Sequence, residues 1–202
     1  VRVLSRWGGE NPSPEMAKML TALVCSLPGT ICSYQGEELG LTEASISQGD
    51  LQDPFGIEFW PDFKGRDGCR TPIPWDTEEK NLGFTKGSPW LPLAAEHKNH
   101  AVNLQDHTED SVLNAYRNFM KWRKNQPALL HGSIEFLESP NGTLALKRTY
   151  NDETLWATFN LSNIDQELDI KEEIIQISPY TKDLSVLSGP VTLEPYQVIF
   201  GK

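Results

Sequence analysis

The sequence predicts an α/β fold for about its first 130 residues and an antiparallel all-β domain for the remainder. Three observations lead to this. Two short apolar runs flank an amphipathic helix near the N-terminus, as in a βαβ unit. A second amphipathic helix comes after a long segment that has no periodicity. From Ile134 onward the apolar residues recur with a period of two, which is typical of half-buried strands.

Composition limits the possible classes of protein. The chain has 202 residues, 38% of them hydrophobic, with 6 Trp, 8 Phe and 5 Tyr, which is enough for a real core. A net charge of -10 argues against a nucleic-acid partner, because phosphate binding needs a basic face. Since no apolar run approaches about 20 residues, we expect no membrane-spanning helix. The chain opens inside an apolar run without Met, so we expect a fragment of a longer protein.

The three cysteines, Cys25, Cys32 and Cys69, are an odd number and lack metal-ligand spacing. They fit small buried hydrophobes in a reducing compartment, which favours a cytoplasmic protein. We expect no metal site and no cofactor.

The βαβ unit is predicted from three segments. Val1 to Trp7 is predicted to be the end of a strand running into a loop. Ser13 is a candidate N-cap with Pro14 at the first helical position, and the helix stops at Pro28. Residues 30–34 are apolar enough for a buried strand of a parallel sheet.

Residues 35–98 are predicted to form a long loop, which is uncommon in a compact domain and usually functional. Its aromatic residues either pack the loop onto its scaffold, the commoner role, or stack on the apolar faces of sugars. They are Phe55, Phe59, Trp60, Phe63, Trp75, Phe84 and Trp90.

The segment 65–75 of that loop contains three charged side chains that could bind a ligand. Arg66 and Arg70 offer rigid forks of donors that suit carboxylates, phosphates or vicinal sugar hydroxyls. Asp67 can lock one of them in an ion pair. A surface turn held by a salt bridge is an equally good explanation of the composition alone.

The second half begins with a predicted helix over 108–124, capped by Thr108 and ended by Pro127. Strands are then predicted around 134–136, 144–146, 156–160, 191–193 and 198–200. Turn residues at 140–142 and 151–153 separate the first three.

Three motifs carry a resemblance to a known family. They are Arg2-Val3-Leu4-Ser5-Arg6-Trp7-Gly8, Tyr34-Gln35-Gly36-Glu37-Glu38-Leu39-Gly40 and the whole segment 65–75, Gly-Arg-Asp-Gly-Cys-Arg-Thr-Pro-Ile-Pro-Trp. With them the chain resembles the C-terminal portion of a bacterial α-glucosidase of the α-amylase family of glycoside hydrolases, in the oligo-1,6-glucosidase and sucrose-hydrolase-like group.

The resemblance implies a fold and a division into domains. Residues 1–130 would be the last part of a catalytic (β/α)8 TIM barrel, with the loop 35–98 at its active site, since barrel active sites lie where the strands end. Residues 131–202 would be the C-terminal antiparallel β-sandwich domain of the family.

The resemblance also implies an activity. The parent protein would be an exo-acting retaining α-glucosidase that hydrolyses terminal α-linked glucose from short oligosaccharides or sucrose-like substrates. The family's catalytic carboxylates match no residue of these 202, so no catalytic residue is assigned and the chain alone is predicted to be inactive. Alternatives are a sucrose isomerase or transglucosylase, and a non-catalytic member that acts as a binding or structural module.

The resemblance therefore implies that this chain binds substrate, and the substrate would be an α-glucoside oligosaccharide. We expect it to bind neither nucleic acid nor a membrane. Arg66 matches the family's arginine at the closed end of the pocket. By the resemblance, Arg2 would follow the family's Asn-His-Asp motif and would either orient it or form a structural salt bridge. Asp67 and Arg70 would mainly hold the loop. Weaker candidates for the outer side are Glu43, Phe55 and Trp60.

Two further groups of titratable residues are interpreted as structural. Glu37 and Glu38 are expected to brace loops rather than form a paired catalytic site. The four histidines have no ligand spacing and are expected at the surface: His97, His100, His107 and His131.

Overall fold

The computed structural model describes residues 1–9, 12–179 and 185–202. Contacts divide the chain into two compact units, one formed by residues 1–17 and 33–114, the other by residues 18–32 and 115–202. The α-helices are α1 (Val3–Gly8), α2 (Pro14–Ser26), α3 (Pro54–Glu58), α4 (Val102–Asp106), α5 (Val112–Arg123) and α6 (Pro127–His131). The strands are β1 (Ser133–Leu137), β2 (Thr143–Tyr150), β3 (Glu153–Asn160), β4 (Gln166–Ile177), β5 (Val186–Leu193) and β6 (Val198–Gly201).

Helix α2 forms where the sequence predicts it. The Ser13 hydroxyl accepts the N–H of Met16 at 3.2 Å, and Pro14 opens the helix, where its missing N–H costs nothing. The helix ends at Ser26, and Ser26 Oγ donates to the carbonyl of Ala22 at 2.7 Å. The predicted cap and the predicted stop are both confirmed.

The first predicted strand of the βαβ unit is wrong, and the second pairs with no strand among the described residues. The first lies in helix α1, and residues 30–34 form no β-ladder, with Cys32 and Tyr34 exposed. A strand exists only through hydrogen bonds to a neighbouring strand, and within the described residues before 133 no segment offers such a partner. The apolar runs therefore predicted strands for which this chain supplies no partner strand among the described residues before 133.

The first unit is held by loops packed on small apolar clusters. Leu39, Leu41, Ile73 and Leu113 form one cluster. The second cluster consists of Ala44, Ile46, Leu51 and Ala94. From residue 35 to residue 100 the regular elements are the short helix α3 and five 3-10 turns. The turns are Glu37–Leu39, Gln48–Asp50, Asp67–Cys69, Lys80–Gly83 and Ala95–His100. The long predicted loop is thus confirmed as irregular but ordered structure.

Helix α5 begins four residues later than predicted. The Thr108 hydroxyl donates to the carbonyl of Leu104 at 2.9 Å, at the end of helix α4, and three residues separate Thr108 from the first residue of α5. Ser111 caps α5 instead, and its Oγ accepts the N–H of Asn114 at 3.1 Å. Both residues are good caps in sequence, and only the preceding helix decides between them.

The second unit contains a six-stranded antiparallel sheet in the order β1-β2-β3-β6-β4-β5. The predicted strands all lie within it, and the predicted turns carry left-handed residues at Gly142 and Asn151. Strand β4 was not predicted, because its pairing with β5 is interrupted between Ile170 and Ile174 and three charged residues fill the gap.

One face of this sheet is buried against helices of its own unit. The ring of Phe200 lies 5.7 Å from that of Phe119 and 4.9 Å from that of Trp122. Arg148, 1% exposed, donates to the carbonyls of Ser26 at 2.5 Å and Gly132 at 2.8 Å. Burial lowers the pKa of Arg148, yet the carbonyls satisfy its donors. Across the described part of the chain, helices are too short or too polar to cross a membrane.

Candidate functional site

The segment 65–75 is anchored by a buried carboxylate. Asp67 lies in the 3-10 turn Asp67–Cys69 and is 0% exposed. Its Oδ2 accepts the backbone N–H groups of Gln52 and Asp53, each at 2.7 Å. Charge-assisted bonds of this kind are about twice as strong as neutral ones. Asp67 therefore ties the turn to the chain in front of helix α3.

Asp53 forms a second link between the start of helix α3 and the segment 65–75. Its Oδ2 accepts the backbone N–H of Arg66 at 3.0 Å, and its Oδ1 accepts that of Phe55 at 3.0 Å, which caps α3. Burial raises the pKa of Asp53, but these amide bonds and the charge of Arg70 outweigh it and leave the pKa below its usual value. The carboxylate thus stays ionised and keeps the loop closed.

A side chain at position 65 would destroy this closure. Gly65 has φ +71, and a Cβ there would lie 2.8 Å from the Cβ of Asp53. Sequence reasoning did not name Asp53. Its signal was present, because Asp followed by Pro is a helix-start pattern, but its partner Arg66 lies 13 residues away.

The two arginines of the segment have different surroundings. Arg70 Nη1 lies 3.7 Å from Asp53 and 3.8 Å from Asp67, so it forms an ion pair with each carboxylate and offsets part of their charge. Arg66 is held through its backbone, and its side chain is exposed. Both side chains line a cavity of about 400 Å³ together with Asp53, Phe55 and two neighbours, Pro54 and Phe63.

Arg2 lies beneath the same turn and is 1% exposed. Its guanidinium donates to the carbonyls of Gly68 at 3.3 Å and Cys69 at 3.0 Å. It also donates to those of Gln35 at 3.1 Å and Thr42 at 2.7 Å. Burial lowers the pKa of Arg2, although nearby acidic groups oppose the effect. Arg2 joins the start of the chain, the segment 35–42 and the segment 65–75.

Glu43 lines a second cavity, of about 390 Å³, with Ser5, Lys64 and Gly68 among its walls. The N–H of Glu43 donates to Ser5 Oγ at 2.6 Å. A Cβ at Gly68 would lie 2.6 Å from the carbonyl oxygen of Ala44, so the turn passes very close to this strip of chain. Gly68 of the turn Asp67–Cys69 therefore lines the second cavity, while Arg66 and Arg70, which flank the turn, line the first.

The aromatic residues of the loop do not share one role. Trp60 is half-buried against the cluster of Ala44, Ile46, Leu51 and Ala94, with Lys64 Nζ 5.8 Å from the ring centroid. Phe55 is 66% exposed and stacks with Phe59 at 6.3 Å. The remaining aromatics of the loop, Phe63, Trp75, Phe84 and Trp90, are also exposed. The expectation that most of them pack inward is wrong within the described residues.

Glu37 and Glu38 serve their own turn. Glu37 Oε2 accepts the N–H of Tyr34 at 3.1 Å, and Glu38 Oε2 accepts that of Gly36 at 2.8 Å. Each carboxylate supports the backbone, as expected for loop-bracing residues. Among the residues that the structure describes, no cluster of three or more His, Cys, Asp or Glu side chains could hold a metal ion.

His97 contradicts the expectation that all four histidines lie at the surface, because it is 1% exposed. Its Nε2 lies 2.9 Å from the carbonyl oxygen of Thr42 and must carry the proton, since a carbonyl only accepts. Its Nδ1 lies 3.5 Å from Thr71 Oγ1. Both nitrogens are satisfied by a neutral ring, which explains how a histidine enters the core.

This burial predicts a pH dependence of stability. Desolvation and the charges of Arg2 and His100 lower the pKa of His97, while the Thr42 carbonyl and Glu96 oppose them. The unfolded pKa is about 6.5. The stabilisation is therefore complete above about pH 6.5 and falls as the pH drops from there towards the folded pKa. Urea unfolding between pH 7.5 and pH 5 should show this loss.

Two variants test the assignment. His97→Gln should flatten the loss of unfolding free energy between about pH 6.5 and the folded pKa, because the titrating group is gone. His107→Gln, at an exposed position, should keep the wild-type slope. An unchanged slope in His97→Gln would assign the pH dependence to other groups.

Comparison with known proteins gives this geometry a context. The model of the α-amylase family, described as "Alpha amylase, catalytic domain", matches residues 1–132. A probable α-glucosidase of Rhizobium meliloti (strain 1021) is 48% identical over 164 residues, 81% of this chain and 30% of that protein. An oligo-1,6-glucosidase of Halalkalibacterium halodurans is 33% identical, over 100% of this chain and 40% of that protein.

Solved structures agree. The α-glucosyl transfer enzyme XgtA superposes with a TM-score of 0.92 at 46% identity, over 100% of this chain and 38% of that one. Isomaltulose synthase from Klebsiella sp. LX3 gives 0.85 at 26% identity, over 100% and 40%. The chain thus spans well under half the length of the relatives it matches.

Proposed function

Because the chain belongs to the α-amylase family of glycoside hydrolases, we propose that it is part of an exo-acting retaining α-glucosidase. The substrates would be short α-linked oligosaccharides or sucrose-like glucosides, from which the enzyme removes the terminal non-reducing glucose. The named relatives, a probable α-glucosidase and an oligo-1,6-glucosidase, support this choice.

One observation carries the proposal: Arg66 presents a free guanidinium from a rigid base. Its backbone is fixed by Asp53, which is linked to the buried Asp67. Its side chain is exposed at the cavity of about 400 Å³. A preorganised fork of donors can bind vicinal hydroxyls of a terminal sugar and so favour an unsubstituted chain end.

The neighbours of Arg66 fit the same role. Phe55 and Phe63 line the cavity and offer apolar faces to the C–H groups of a sugar ring. Arg70 pairs with the two anchoring carboxylates and is occupied by them, which leaves Arg66 as the arginine for the substrate. Glu43, in the second cavity, is our candidate for the outer, acceptor side.

The cleavage step needs a nucleophilic carboxylate and a separate carboxylic acid. Asp53 and Asp67 are unsuited to either part, because their oxygens accept backbone N–H groups and face Arg70. We therefore propose that both catalytic carboxylates come from residues outside these 202, and that this chain binds substrate. The isolated chain should be inactive.

The domain division that goes with this function has residues 1–130 as the end of a (β/α)8 barrel and residues 131–202 as a C-terminal β-sandwich domain. The family match over residues 1–132 supports it. In such a barrel the loop 35–98 would lie on the catalytic face. Segment 30–34 would then be a barrel strand whose partners belong to the rest of the protein.

Glucosyl transfer is the second candidate function. Its support is the TM-score of 0.92 to an α-glucosyl transfer enzyme, together with similarity to isomaltulose synthase. Transfer and hydrolysis proceed through the same covalent glycosyl-enzyme intermediate. They differ in the acceptor that attacks it, which is a sugar hydroxyl in transfer and water in hydrolysis. The distinction therefore rests on the acceptor side of the site, and Glu43 and Trp60 are our weaker candidates there.

Product analysis with the complete protein that contains this chain tests both functions. We expect p-nitrophenyl α-glucoside, maltose and isomaltose to release glucose from the non-reducing end. Isomaltulose or trehalulose formed from sucrose would favour transfer. No turnover of any α-glucoside would indicate a non-catalytic binding module, and turnover by the isolated chain would place the catalytic groups inside it.

A further inference from the structure

A cavity in the second unit has no part in the function proposed above. It measures about 210 Å³ and lies between strands β1, β2 and β3 on one side and β4 on the other. Trp156 and Thr158 line it from β3, and Ala145 and Lys147 line it from β2. These residues alternate with the fully buried Leu155, Ala157, Phe159, Leu146 and Arg148. The cavity is thus on the sheet face opposite the helices.

The backbone leaves room for this cavity. The register between β4 and β5 is interrupted between Ile170 and Ile174. Trp156 stands opposite Lys147 on β2 and opposite Gly201 on β6, so its neighbour on β6 contributes no side chain to that flank of the ring. A Cβ at Gly201 would lie 2.6 Å from Ile174 Cδ1, which shows that β4 covers this flank.

Aromatic, aliphatic and polar groups converge here. The half-buried Trp156 ring has Lys147 Nζ 3.7 Å from its centroid. Lys147 Nζ also lies 3.5 Å from Glu172 Oε1, and its side chain is partly exposed. Leu168 and Ile170 supply an apolar wall. A few polar groups around an aromatic and aliphatic lining are typical of small-molecule sites.

Charge and size select the kind of ligand. The charged lining residues are of both signs: Lys147 and Lys171 against Glu138, Asp169 and Glu172. Such a mixture favours an uncharged ligand with many hydroxyls, for which both signs provide hydrogen-bond partners. The volume is below the roughly 300–1,000 Å³ of sites for drug-sized ligands, so it suits one sugar ring.

We propose that this cavity is a second saccharide site that takes one neutral pyranose unit, either free or at the end of an oligosaccharide. The C–H face of the sugar packs on the Trp156 ring in place of the Lys147 ammonium. Lys147 keeps Glu172 as its partner and donates to a sugar hydroxyl, while the Thr158 hydroxyl bonds another.

Indole resonances of the uniformly ¹⁵N-labelled 202-residue chain, titrated with maltose and methyl α-glucoside, test this directly. We expect a saturable shift of the Trp156 indole signal, assigned with Trp156→Phe. Thr158→Val removes one hydroxyl at constant volume and should weaken binding by about five-fold or more. Trp90→Phe, at an exposed position of the other unit, should leave the titration unchanged.

Three results would overturn the proposal. They are the absence of a saturable Trp156 shift, a shift insensitive to Thr158→Val, and stronger binding of cyclohexanecarboxylate, which would show a site for apolar anions. The complete protein gives a second readout. Isomaltose binding measured by calorimetry should persist in Arg66→Ala and weaken further in Arg66→Ala with Thr158→Val, which separates this site from the proposed active site.

Discussion

If the complete protein has the proposed α-glucosidase activity, replacing Arg66 with alanine should lower its kcat/KM for α-glucosides by about 100-fold or more. The exposed guanidinium is the one we assign to the terminal glucose, and a hydrogen bond from a charged group is worth about 1.5–3 kcal/mol. Two such bonds to vicinal hydroxyls account for the loss. Steady-state kinetics with isomaltose and p-nitrophenyl α-glucoside measure it.

The controls separate lost binding from lost structure. Arg66 holds the loop through its backbone N–H, so Arg66→Ala should unfold at the same urea concentration as wild type. Arg66→Lys keeps the charge but not the fork, and should recover only part of the activity. Arg6→Ala removes an exposed arginine of the same unit and should leave kcat/KM unchanged. An unaltered kcat/KM in Arg66→Ala would refute the assignment.

Replacing Arg2 with alanine should cost about 3 kcal/mol or more of unfolding free energy. Arg2 donates to four backbone carbonyls, and its bonds to those of Gly68 and Cys69 are fully buried. Each buried group left unpaired costs about 1–3 kcal/mol, and a cavity adds to this. Because two of the carbonyls belong to Gly68 and Cys69, activity should fall as well.

Urea unfolding, followed by far-ultraviolet circular dichroism, measures this effect. Arg2→Met restores much of the volume but none of the donors, so it should recover little of the loss. Arg6→Ala, in the helix that begins directly after Arg2, should change stability by less than about 0.5 kcal/mol. Equal stabilities of Arg2→Ala and Arg6→Ala would show that the four carbonyls find other partners.

Local signals were sufficient where the chain is stabilised by its near neighbours. Ser13 and Pro14 predicted the start of α2, because a cap and a fixed φ act within one turn. Alternating apolar residues predicted most strands, because a strand that buries one face of a sheet shows this period whichever strand it pairs with. The segment 65–75 was recognisable because its residues resemble a motif of a known family.

Contacts distant in sequence decided the rest. Periodicity cannot show whether an apolar run finds a partner strand, so Val3–Gly8 is a helix and residues 30–34 are unpaired. Nothing local distinguishes His97 from a surface histidine, since its burial depends on a carbonyl 55 residues away. The sequence by itself therefore identified the arginines that we propose as candidates for sugar binding. Only the tertiary structure decided that the Arg66 guanidinium is exposed while that of Arg2 donates to backbone carbonyls. The reason is that a donor's availability depends on hydrogen-bond acceptors up to 67 residues away in sequence.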